Sequence, residues 1–384
     1  MITTLAVSGY RSLRDLVVPL GSLTVVTGAN GTGKTTLYRA LHLLAETAQG
    51  RLVGRLASEG GLRSTLWAGP EAISRSVRAG INPVQGTVRK GPVSLKLGFG
   101  GEDFGYAIDL GMPSPENPFP LDPAIKIEAM WTGETLRPVA VFAERRGALV
   151  RLRTAHSHVW REITHDLSPF DSMVTHCADP ADGAELLAMR ERMRDWRFYD
   201  ALRTDPAAPA RRRQVMTYTP VLAGDGADLA AAIATIRAIG DRDALDAAIE
   251  HAFPGSSLAT EADDHYGGVL LHQPGLLRPL GAAELSDGTL RFLLLVAALL
   301  SPRPPELMVL NEPEASLHPS LMPALARLVV AASRVGQIVL VSHSDALIRA
   351  IGHEGEVSEI RLEKSFGETH APHLDAPSWV WPKR

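Results

Sequence analysis

Gly28-Ala-Asn-Gly-Thr-Gly-Lys-Thr35 has the residue types and spacing of a loop that holds nucleotide phosphates, G-x-x-x-x-G-K-[ST]. Gly28, Gly31 and Gly33, with Asn30 among them, let the backbone wrap phosphate oxygens. Its N–H groups and the N-terminus of a following helix then offset their charge. In that pattern Lys34 reaches the β- and γ-phosphates and the Thr35 hydroxyl, with Thr36 beside it, serves Mg²⁺ and phosphate. A flexible glycine turn is the plainer reading. Against it stand the β-rich run Leu23–Thr27 before the loop and the helical spacing of Leu37, Leu41 and Leu44 after it. Far downstream, Glu306 to Glu314 reads as an apolar strand ending in acidic residues, as a strand reaching phosphates at its carboxyl end should. Glu312 is its natural candidate to orient an attacking water. Leu285-Ser-Asp-Gly-Thr289 and Ser342-His-Ser344 complete a set of segments whose order points to one ATP site.

These residues need a scaffold, and composition bounds it. The chain has 384 residues, 45% hydrophobic and 21% charged, which suits one large α/β domain with insertions or two ordinary domains. A formal net charge of −4 excludes a global basic field directed at nucleic acid or anionic membrane. The single cysteine, Cys177, excludes an intrachain disulfide framework and reads as a small buried apolar residue in a reducing cytosol. The N-terminus reaches Ser8, Gly9 and Arg11 too soon for a signal peptide. The most apolar stretch, Phe292–Leu300, is about half the ~20 residues a spanning helix needs, so it reads as a buried core helix. The expectation is a cytoplasmic protein with no membrane partner.

Along the chain, the first half-dozen residues alternate as an edge or hairpin strand, and Thr35 to about Thr47 is helical. Short alternating runs follow at Val93–Leu97, Tyr106–Leu110, Ile125–Ala129 and Ala148–Leu152, the pattern of an antiparallel sheet. The loop Gly111–Pro123 between two of them holds five prolines. Leu186–Leu202 and Ala227–Phe253 read as helical pieces, separated by a loop over 204–213. Strand and helix alternate again over 285–350, and 356–364 suggests a late strand. The fold class is therefore α/β, with a nucleotide-binding core (1–80 and 254–384) interrupted by a β-rich lobe (81–160) and a mainly helical insertion (161–253). The whole is one composite domain.

Leu285-Ser-Asp-Gly-Thr289, about 20 residues before Asn311-Glu-Pro-Glu314, with Ser342-His-Ser344 after it, resembles the P-loop head of ABC-type ATPases. The likeness is to the RecF and SMC branch, in particular stand-alone AAA-family ATPases with LSDGT and EPExxLHP signatures. Gly9-Tyr-Arg-Ser12 is also similar to that branch. The resemblance covers residues 1–47 and 280–350. It implies a homodimer that clamps ATP between facing heads, with Ser286 and Gly288 touching the γ-phosphate held by the other copy. It also implies that His343 contacts the γ-phosphate of its own copy and that Ala315–His318 crosses the interface. Taken alone, Ser286 is a plausible helix N-cap and His343 an ordinary structural histidine. The sequence departs from the wider pattern at Asp287 and Thr289, and above all at Asn311, where the family's Asp supports Mg²⁺. An amide oxygen still accepts a hydrogen bond from metal-bound water, but the negative charge is gone. A glutamine loop is not placed by the sequence; Gln85 is a weak candidate.

The resemblance implies ATP hydrolysis in a DNA-linked task such as repair or defence against foreign DNA. Asn311 favours an alternative, a nucleotide-sensing switch with little hydrolysis that controls a partner effector protein. A transporter motor subunit suits neither the EPExxLHP form nor the central insertion. About 40 residues follow His343, too few for an appended nuclease module of ordinary size. Basic residues cluster at Arg145-Arg146, Arg151–Arg153 and Arg211–Arg213, near Trp160, Trp196, Phe198 and Tyr199 in sequence. Solvated faces or local ion pairs explain such clusters most simply, and DNA contact is the functional alternative. The preference between ATP and GTP is not encoded in these motifs.

Overall fold

A computed structural model describes residues 1–69, 92–153, 159–178, 183–200 and 202–384. Gln85 lies outside the described residues. The chain divides into two compact units, one of Met1–Leu20, Gly28–Arg194 and Ile360–Arg384, the other of Gly21–Thr27 and Asp195–Glu359.

In the first unit, eight antiparallel strands lie in the order Leu13–Pro19, Ile2–Tyr10, Leu95–Gly101, Phe104–Gly111, Ala124–Thr132, Val141–Arg146, Leu149–Arg153 and Trp160–Thr164. The N-terminal strand forms a hairpin, as its alternation implied, with Tyr10 opposite Leu13 across a tight turn and Arg11 at φ 49°. It is an interior strand, because Leu95–Gly101 pairs along its other side. Three strands of this sheet were not foreseen, Leu13–Pro19 among them. Val141–Arg146 turns the charged Arg145 inward, so its burial alternation is invisible to a hydropathy scale. Trp160–Thr164 is a sheet edge with no buried position. Helix Lys34–Ala48 packs on strands Ile2–Tyr10 and Leu95–Gly101, with Leu37, Leu41 and Leu44 buried.

Glu128 on Ala124–Thr132 stands opposite Arg145 on Val141–Arg146, and their ion pair has both side chains at 0% exposure. Arg145 donates to the carbonyls of Gly147 (2.7 Å), Ser168 (2.7 Å) and Asp171. Glu128 accepts from the Tyr106 hydroxyl (2.6 Å), the Ser172 hydroxyl and the Met173 N–H (2.9 Å). The network fastens the 168–173 segment to the sheet.

In the second unit, Arg197–Tyr199, Leu307–Asn311, Gln337–Val341 and Leu23–Thr27 run parallel in that order, with Ser358–Arg361 beside the last. The helical piece expected over Leu186–Leu202 is shorter: the helix is Ala184–Asp195, all but its last residue in the first unit, and the aromatic run after it is a strand in register with Met308–Leu310. Pairing with an apolar neighbour overrides the helical pattern there. The piece expected over Ala227–Phe253 is two helices, Leu229–Ile239 and Arg242–Ala252. They separate at Gly240, and the Asp241 carboxylate caps the second by accepting from the Ala244 N–H at 2.8 Å. A small antiparallel sheet, including Ser257–Ala262 and Tyr266–His272, also belongs to this unit and was not read from the sequence. Asp287–Leu299 is its central helix: every residue from Leu290 to Leu299 is buried, as the apolar run required. Among the described residues, no helix is long and apolar enough to cross a membrane.

Candidate nucleotide-binding site

The sequence candidates fall into two groups, one in each unit. The first follows directly on strand Leu23–Thr27. Gly28 (φ 137°), Gly31 (φ 80°) and Gly33 (φ 110°) all take left-handed backbone that side chains rarely adopt. At Gly28 a Cβ would also lie 2.4 Å from the Leu362 carbonyl oxygen, so space and torsion both require glycine. Asn30 and Thr35 are exposed and Thr36 is half-buried, while Lys34 is 6% exposed. The Lys34 ammonium donates to the carbonyls of Gly28 (2.6 Å) and Ala29 (3.2 Å), which holds a positive charge inside the loop. Helix Lys34–Ala48 has no side-chain cap and no acidic residue in its first turn. A helix N-terminus usually attracts Asp or Glu. Left without one, its N–H groups and dipole suit an external anion.

The second group sits where the parallel strands end. Asn311 pairs with Val341, and Val341 with Val26, so the carboxyl ends of three neighbouring strands lie side by side. The Glu312 N–H donates to the Val341 carbonyl (2.8 Å), and the Ser342 N–H to that of Val26 (3.1 Å). Glu312 has φ 49°, a left-handed torsion in a residue other than glycine, of the kind that gathers at functional sites. Its carboxylate is 42% exposed and lies 3.7 Å from Nδ1 of His343. Asn311 Oδ1 is buried and has no hydrogen-bond partner among the described residues. An acceptor in that state suits a donor from outside the chain, such as a metal-bound water. Ser286 caps helix Asp287–Leu299, its Oγ accepting from the Thr289 N–H at 3.2 Å, which is the local role its position suggested. Gly288 is held close to the loop after the acidic motif: a Cβ there would be 2.8 Å from the Ser316 carbonyl oxygen.

Three side chains organise this region, Glu314 and Arg291 with no role read from the sequence and Arg211 read there only as part of a basic cluster. Glu314, 7% exposed, accepts at Oε1 from the Ser342 hydroxyl (2.6 Å) and from the N–H groups of His343 (3.1 Å) and Ser344 (3.2 Å). It thereby shapes the turn that presents His343. Arg291, 8% exposed, donates to the carbonyls of Leu202 (2.7 Å) and Glu312 (3.1 Å). Burial lowers its pKa, and the Glu314 and Glu312 carboxylates oppose that shift. Arg211 donates to the carbonyls of Ala282, Ala283 and Leu285 and to the Asp287 carboxylate (2.7 Å), clamping the segment before Ser286. Glu314 stood inside a motif, whereas carbonyl partners leave no sequence signal for Arg291 or Arg211.

The basic clusters are largely committed within the fold. Arg145 is buried, Arg151 pairs with Glu144, and Arg213 with Asp263 and the Tyr266 carbonyl. Arg151 and Arg153 stack on the Trp160 ring, at 5.4 and 5.2 Å from its centroid. Trp196 and Tyr199 are core residues. Local pairing and packing account for these side chains.

The profile of the family described as "AAA domain, putative AbiEii toxin, Type IV TA system" matches residues 149–349, more than half of the chain. That stretch contains Ser286, Asn311, Glu312 and His343 and begins after the glycine loop. A 44-residue segment, 12% of this chain, is 48% identical to OLD nuclease of Thermus scotoductus and spans 8% of that protein. The chain is also similar to the solved structure "Crystal structure of the SmcHead bound to the C-winged helix domain of ScpA". That alignment has a TM-score of 0.52 at 12% identity and covers 96% of each chain. SMC heads from Thermotoga maritima (TM-score 0.41, 13% identity) and Pyrococcus furiosus (0.48, 11%) align over 96% of this chain and 97% and 94% of theirs. A profile match over more than half of its length places the chain in the family of that AAA domain, with an ABC- and SMC-like ATPase head as its fold.

Proposed function

We propose that this chain binds ATP with Mg²⁺ and hydrolyses it, and that two copies dimerise around the nucleotide in a DNA-linked task such as repair or defence. The observation that carries the nucleotide reading is the glycine loop: three left-handed glycines and a buried lysine ahead of an uncapped, acid-free helix N-terminus. In this reading the backbone of Gly28–Thr36, with Asn30, cradles the phosphates, and Lys34 neutralises their charge. Glu312 orients the attacking water and His343 senses the γ-phosphate. Ser286 and Gly288 serve the nucleotide of the second copy. Thr35 and Asn311 would each offer an oxygen toward Mg²⁺, the donor chemistry of a hard cation retaining several waters, and Asn311 Oδ1, without a partner among the described residues, suits one of those waters. When bound, Mg²⁺ would offset phosphate charge as the terminal bond breaks. Residues 81–160 and 161–253 are then insertions into the core. The short match to a nuclease supports the DNA-linked role.

Mg²⁺-dependent ATP hydrolysis by the purified protein, with and without DNA, tests this reading. Turnover that DNA raises and Lys34→Ala removes is the expected result. Absence of ATP binding would overturn it. A second reading, a nucleotide-gated switch with little hydrolysis, draws on the neutral amide at Asn311. Asn311→Asp restores a charge toward Mg²⁺. It should lower the Mg²⁺ concentration needed for half-maximal turnover, by roughly tenfold if one further carboxylate–metal interaction forms. Unchanged metal dependence and unchanged rate in that variant would remove Asn311 from the account of slow turnover.

A further inference from the structure

The chain returns to the glycine loop from its far end. After Leu362, strands Glu363–Ser365 and Glu368–His370 form a two-stranded hairpin around Phe366-Gly367, both at positive φ (51° and 82°). Such tight turns favour residues in that region. The second strand lies along Leu13–Pro19, and the Arg14–Glu368 ion pair (3.2 Å) fixes it there. Thr369 is fully buried. Its N–H donates to the Ser12 carbonyl (2.9 Å), and its hydroxyl lies 2.9 Å from that of Ser12 and donates to the Thr32 carbonyl at 2.7 Å. A Cβ on Gly33 would come 2.5 Å from Thr369 Oγ1.

We propose that Thr369 is a positioning residue for the phosphate-binding loop, acting through the Thr32–Gly33 peptide. The proposal rests on the ATP-binding reading above. A trans peptide is planar, so its C=O and N–H point in opposite directions. With the Thr32 carbonyl tied to the hairpin, the Gly33 N–H is held pointing away from the hairpin. Without the hydroxyl, that buried carbonyl loses its partner and the peptide is free to rotate about the two glycine-rich flanks. Ser12 completes the clamp, which gives Gly9-Tyr-Arg-Ser12 a structural task beside the loop.

The test compares Thr369→Val, which keeps the shape and removes the hydroxyl, with Thr369→Ser, which keeps the hydroxyl. Two readouts are needed: amide hydrogen exchange over residues 28–36 without nucleotide, and ATP affinity in Mg²⁺. Loss of one buried hydrogen bond should raise exchange there about tenfold and weaken ATP about tenfold in Thr369→Val. Thr369→Ser should stay near wild type, and kcat at saturating ATP should be unchanged in both. A folded Thr369→Val protein with wild-type exchange over 28–36 would overturn the proposal. If Thr369→Val does not fold, Thr369→Ala carries the same expectation with Thr369→Ser as the rescue. Should the wild-type protein itself fail to bind ATP, the nucleotide reading falls, while exchange over 28–36 still decides whether Thr369 holds the loop.

Discussion

Glu312→Gln is expected to lower Mg²⁺-dependent ATP turnover by about 10²–10⁴-fold, with ATP affinity changed no more than a few-fold. The substitution keeps the size and hydrogen-bonding reach of the side chain and removes its ability to hold a water by charge or take its proton. The backbone should be unaffected. The Glu312 N–H is tied to the Val341 carbonyl and its own carbonyl to Arg291, so the left-handed torsion is held from both sides whatever the side chain. The carboxylate is half-buried and, among the described residues, bonded to no lysine or arginine, which leaves it available to a water. Single-turnover kinetics beside an equilibrium binding measurement separate the two effects. Equal rates in wild type and variant would move the water-orienting role to another group. If the wild type binds ATP without turning it over, the variant will be silent, and the switch reading gains.

Arg145→Met is expected to cost about 3–5 kcal/mol of folding stability, read from urea unfolding midpoints at pH 7. Removing one member of a fully buried ion pair leaves the other charge without compensation, and Glu128 is at 0% exposure. The three carbonyls that Arg145 serves would lose their donor at the same time. Buried pairs can often be replaced together by apolar groups at little cost. Here Glu128→Leu with Arg145→Met should recover only part of the loss, since Tyr106, Ser172 and the Met173 N–H would also be orphaned. Burial, and then the Glu128 carboxylate, push the Tyr106 pKa well above its usual value, so the phenol remains a neutral donor. A loss below about 1 kcal/mol would mean that water enters the network and solvates the remaining charge.

Legible in one dimension is whatever a contiguous run can encode. The glycine loop needs glycines and a lysine at fixed offsets, because successive peptide groups must curl around one anion; such a pattern survives in one dimension. The apolar run Phe292–Leu300 announced a buried helix, and the alternation near Tyr106 and Ile125 announced sheet strands. Where two periodicities are both weak, long-range pairing selects between them. Arg197–Tyr199 became a strand because Leu307–Asn311 offered it a ladder. Val141–Arg146 became one because Arg145 found enough partners to be buried. The fates of the arginines were also set in three dimensions, since a guanidinium bonded to carbonyls is indistinguishable in sequence from one in solvent. Thr369 is the extreme case: it is 337 residues from the Thr32 carbonyl it holds. A hydroxyl on a short hairpin has no local signature, because its task exists only once the fold has brought both ends of the chain to the loop.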